Sequence, residues 1–74
     1  MSSATLAQIV AIALELIRMG MKEDAFPILD TIVKAQDENR ALTDADWDTI
    51  TNAANGADMA ADAEAARIED QGPK

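Results

Sequence analysis

The chain has 74 residues, a formal net charge of −8 and neither cysteine nor histidine. That composition excludes disulfides, thiolate nucleophiles and Cys/His metal sites. Strong acidity also argues against nucleic acid or an anionic membrane as a partner, and favours solubility or a basic partner.

A chain of this length is near the lower limit for an independent core. Stability must come from good helix packing or from association with another chain, and association is the more natural source. Of the 20 Leu, Ile, Val, Met, Phe and Trp residues, 16 lie in residues 1–42. Residues 43–74 carry eight acids and two bases, against six acids and four bases in residues 1–42. An apolar front half is joined to an acidic, alanine-rich back half.

The front half is organised around Leu6 to Met21, LAQIVAIALELIRMGM. Only Gln8, Glu15 and Arg18 interrupt it before Gly20, and at about 100° per residue they share one narrow stripe that Lys22 continues. The remaining circumference is apolar, so the helix must lie in a core, in a partner or against lipid. Its uninterrupted run, Ile9 to Leu14, is short of the about 20 residues that a membrane span needs. No Lys or Arg precedes it, so no secretory signal is expected. The helix is expected over Ser3–Met19, capped by Ser2 or Ser3 with Thr5 and Gln8 as a weaker pair, and ended by a left-handed Gly20.

A second helix is expected from an N-cap at Asp24, with Pro27 in its first turn, where a missing N–H costs little. Phe26, Leu29, Ile32, Val33 and Gln36 mark its inner stripe, which Ile28 widens. It fades in the polar run Gln36 to Arg40. The short link at Gly20 makes the two helices an antiparallel hairpin.

The third helix has the sharpest start. Thr43 is the N-cap and Asp46 completes a capping box, while Leu42 and Trp47 have the spacing of a hydrophobic staple. Asp44 and Asp46 suit the positive helix end. Trp47, Ile50, Ala54, Ala57, Ala61 and Ile68 keep helical spacing beyond Asn55-Gly56. One acidic, Ala-rich helix to about Glu69 is therefore expected, with a break at Gly56 as the alternative. The expectation is an all-α domain over residues 1–70, a hairpin plus a third helix, followed by a disordered tail at 71–74.

No catalytic, cofactor-binding or metal motif emerges. Asp44, Asp46 and Asp48 imitate the opening of a calcium loop, but Thr49 and Asn55 stand where that loop needs Gly and Glu. Without His, Cys, Tyr or a Gly-rich loop, in a chain too short for a pocket, an enzyme is not expected. The candidate functional residues are instead an apolar interface of Leu6, Ile9, Val10, Ile12, Leu14, Leu16, Ile17, Met21 and Trp47. Trp47 has two readings, a staple over the hairpin or an exposed partner contact.

Residues 35–50, AQDENRALTDADWDTI, resemble a pattern in small helical proteins of tailed bacteriophages. Arg40, Leu42, Thr43, Asp44, Asp46 and Trp47 carry the likeness, over about a fifth of the chain. The resemblance implies a phage origin, with the chain in host cytoplasm or virion, and brings no shared functional site. Two functions remain open. One is a structural or assembly protein, a homo-oligomer or bound subunit that docks through its first helix. The other is an acidic nucleic-acid mimic that occupies a basic groove on a host defence protein, motivated by the charge of residues 43–74.

Overall fold

A computed structural model describes residues 2–71. Among them are four helices and no strand: α1 (Ser3–Arg18), α2 (Lys22–Asp37), α3 (Asp44–Asn55) and α4 (Ala60–Gln71). The all-α class is as expected, but the single long third helix is not. The chain breaks after Asn55, and Gln71, the first residue expected in the tail, closes α4. Positions 72–74, also assigned to that tail, lie outside the described residues.

The helices form a ring. α1 packs between α2 and α4, α3 also packs between α2 and α4, and α1 and α3 meet only lightly across the diagonal. Ile9, Ile12, Leu16, Ile28, Ile32, Leu42, Trp47 and Ile50 fill the centre, with Ala13, Ala25, Ala35, Ala54, Ala63 and Ala66 where helices approach closely. Burying a Leu, Ile or Val side chain stabilises by about 1.5–3 kcal/mol, so these positions carry the fold.

α1 begins at Ser2, whose Oγ accepts from the Thr5 N–H at 3.1 Å and donates to Thr5 Oγ1 at 2.9 Å. Thr5 is thus a fully buried polar residue with its hydroxyl engaged. At the other end Gly20 takes φ +80°. The N–H of Met21 then reaches Leu16 O at 2.8 Å and that of Gly20 reaches Ile17 O at 3.0 Å. This is the Schellman closure, which satisfies carbonyls that a helix end otherwise leaves open.

The same closure recurs at both other joints with a residue other than glycine in the left-handed position. Asn39 (φ 53°) turns the chain after α2, with Arg40 N–H on Ala35 O at 3.0 Å. Asp58 (φ 59°) turns it after α3, with Met59 N–H on Ala54 O at 2.8 Å. Asn and Asp tolerate this left-handed region better than other non-glycine residues. The break therefore hinges on Asp58. Gly56 keeps a right-handed φ of −61°.

Three corrections follow from these joints. First, α2 starts at Lys22, two residues ahead of the expected cap at Asp24, because the turn at Gly20 feeds directly into it. Its N-cap, Met21, makes no side-chain cap bond. Pro27 consequently lies inside the helix, where it supplies no N–H for the preceding turn. Second, the inner face of α2 is Ala25, Ile28, Ile32 and Ala35, while Phe26 and Val33 are exposed. The stripe turns by about one residue because α1 and α3 come close enough to require alanine there. Third, the turn at residues 56–59 resets the helical phase. Ala63 and Ala66 face inward in α4, and Ala61 and Ile68 face out.

The start of α3 agrees with its reading. Asp46 N–H donates to Thr43 Oγ1 at 3.1 Å and Thr43 N–H to Asp46 Oδ2 at 2.9 Å, a reciprocal capping box. Leu42 and Trp47 are both buried in the core.

Candidate functional site

The expected interface residues divide into three groups. Ile9, Ile12, Leu16 and Trp47 are buried within the bundle and present nothing to a partner while it is closed. Leu6, Val10 and Met21 are half-buried against the core. Leu14 and Ile17 are exposed, at 54% and 40%. Of a list drawn from α1, Met21 and Trp47, one flank of α1 remains accessible.

That flank can be placed. Gln8, Ile12 and Glu15 line a groove against Met59, Asp62 and Ala65, so this side of α1 faces α4. Leu6, Val10 and Ile17 lie on the opposite side, toward α2, with Leu14 just beyond them. On α2, Asp24 lies beside the end of α3, since a Cβ built on Gly56 would stand 3.6 Å from Asp24 Oδ2. The other flank of α2, Phe26, Leu29 and Val33, therefore borders α1. Phe26 is 51% and Val33 55% exposed. Leu6, Val10, Leu14 and Ile17 together with Phe26, Leu29 and Val33 form one apolar rim along the outside of the hairpin.

Phe26 and Val33, expected to face inward, are exposed instead, while Leu29 packs half-buried against the core. The signal that could have found them is the alanine pair, Ala25 and Ala35, at helical spacing with Ile28 and Ile32.

Charge is concentrated on the far side. α3 and α4 hold Asp44, Asp46, Asp48, Asp62, Glu64, Glu69 and Asp70 against one base, Arg67. Arg67 contacts Asp44 at 3.2 Å and Asp48 at 3.7 Å, tying α4 to α3. Arg40 contacts Asp46 at 2.7 Å and also binds Glu38. Burial pushes the Asp46 carboxyl upward in pKa, but the Thr43 N–H, Arg40 and the Thr43 hydroxyl outweigh it and hold it below the usual aspartate value. The three aspartates of the calcium-like run are thus divided between two arginines. Among the described residues no three acidic side chains converge as a metal cluster would.

The groove between α1 and α4, about 520 Å³, has an apolar floor of Ala11, Ile12 and Met59. Glu15 on its edge pairs with Arg18 at 3.1 Å. The groove's lining side chains include no hydroxyl, thiol or amine, and its ionisable groups are the Glu15 and Asp62 carboxylates. Among the described residues no helix is long and apolar enough to cross a membrane.

No protein-family model, curated protein or solved structure matches this chain. The functional reading rests on its own residues.

Proposed function

We propose that this chain is a non-enzymatic structural or assembly protein that docks through the apolar rim of the α1–α2 hairpin. One observation carries the reading: Leu14, Ile17, Phe26 and Val33 stay 40–55% exposed on one side of a chain that hides its other large apolar side chains of α1 and α2 well, apart from Met19 beside the turn. Single exposed apolar residues are ordinary, but a row of them on two adjacent helices is the mark of a contact surface. The setting we propose is a phage particle, as a capsid or tail accessory protein, following the resemblance in residues 35–50. The nucleic-acid mimic draws less support, because Asp44, Asp46 and Asp48 are engaged by Arg67 and Arg40.

A photo-crosslinking residue at Leu14, with an exposed control at Ala61 on α4, tests the proposal in lysate of the source. A discrete adduct at Leu14 and none at Ala61 is the expected result. Equal labelling at both positions, or none at either, would remove the case for a docking rim.

A further inference from the structure

We infer that the rim's occupant is a second copy of this chain, joined across a two-fold axis into a dimer. This deepens the reading of the rim as a docking surface and depends on it. Three features of the molecule select a copy over a different protein.

The first is where the charge lies. α1 carries only Glu15 and Arg18, which cancel and pair with each other, and the seven rim side chains carry none. A basic partner would be drawn to α3 and α4, where acids outnumber bases by seven to one. Rim-to-rim contact turns those acidic helices outward, the arrangement that keeps two chains of charge −8 least repelled.

The second is area. With about half the surface of four large side chains free, and part of Leu6, Val10 and Leu29, one rim offers on the order of 500 Å². Two rims together reach about 1,000 Å², the threshold for a specific contact. A second copy is certain to supply a patch of equal size and the same apolar chemistry, so the pair closes on itself.

The third is the match of the ends. On the flank that borders α1, Lys22 opens α2 and Asp37 closes it, while Glu23, Asp24 and Lys34 of the end turns project from its other sides. A two-fold axis crossing the hairpin between Val10 and Leu14 brings the Lys22 end of one copy to the Asp37 end of the other. It also sets the Phe26 end against the smaller Val33 end. A parallel pairing would stack Lys22 on Lys22 and Phe26 on Phe26.

Sedimentation equilibrium of the full chain from about 5 to 500 µM, in about 50 and 500 mM NaCl, tests the dimer. Salt should tighten it about 3- to 10-fold by screening the repulsion between copies, whereas contact with a basic protein would loosen. Leu14→Glu and Phe26→Lys should each weaken it at least tenfold, with circular dichroism and melting near wild type because both residues lie on the surface. A monomer at 500 µM in high salt overturns the inference. So does a dimer that loosens with salt or is untouched by both substitutions. If the monomer still gives a rim-specific adduct with another protein, only the second copy fails; without that adduct, the docking rim fails with it.

Discussion

Thr43 and Asp46 each satisfy a backbone N–H of the other, so the start of α3 is fixed within four residues of chain. Thr43→Ala should cost about 1 kcal/mol in urea unfolding, the usual worth of a side-chain cap. Asp46 adds a pH signature. Its folded pKa lies below its ordinary value, so the unfolded chain binds more protons across that interval. Its contribution is present above the ordinary aspartate range and is lost as pH falls through the folded value. Melting of the wild type should therefore decline more between about pH 5 and 2 than melting of Asp46→Asn, and parallel curves would contradict this. Trp47 and Thr51, one turn apart, show the opposite situation: Trp47 Nε1 and Thr51 Oγ1 are buried without a hydrogen-bond partner among the described residues. An unpaired buried polar group costs about 1–3 kcal/mol, and valine matches threonine in shape. Thr51→Val should leave stability unchanged or raise it by up to about 1 kcal/mol; a clear loss would mean that the hydroxyl is in fact engaged.

At the scale of the elements, legibility followed how local the physics was. The capping box, the staple and the left-handed Gly20 are complete within a few residues, and each was readable. The inner face of α2 was not, because Ala25 and Ala35 give a weak apolar signal beside Phe26, Leu29 and Val33. Only the proximity of α1 and α3 makes alanine the right size there. Ile28 and Ile32 lie in the core as their spacing indicates, while Phe26 and Val33 of the same expected stripe are left outside and form part of the candidate site. The break before α4 falls where Asn55-Gly56 signals it, with α3 ending at Asn55 and Gly56 as its C-cap, and the left-handed turn follows two residues later at Asp58. The two glycines should respond differently. Gly20→Ala forces a side chain into φ +80° and should cost about 1 kcal/mol or more, although its Cβ would meet nothing within 4 Å. Gly56→Ala occupies a right-handed position whose nearest neighbour would be Ala53 O at 3.5 Å, and should stabilise by about 0.5–1 kcal/mol. Thermal melts of the pair check both signs.

For the whole molecule, the ring of helices separates a neutral apolar edge from an acidic one. The apolar surplus of the first helix, evident from composition, is mostly absorbed by four helices where three were expected. What is left is the rim on two helices, with Met19 beside the first turn and Ile68 standing apart on α4. Such a molecule should be least soluble near its isoelectric point of about 4.1, where protonation removes the repulsion that keeps rims apart. Light scattering across pH 3–7 should show a maximum near that value for the wild type and a much smaller one for Leu14→Glu. Equal maxima would place the attraction elsewhere.

The alanine seam of α4 has one further consequence, for motion. Its buried residues are the small Ala63 and Ala66, and Arg67 ties it to α3 through two exposed aspartates. So little anchoring makes it the stave that leaves the barrel first. Native-state amide exchange should show Ala63 to Arg67 trading deuterium at least ten times faster than Ile12 to Leu16, through openings that spare the other three helices. Uniform protection would mean that the molecule unzips only as a whole.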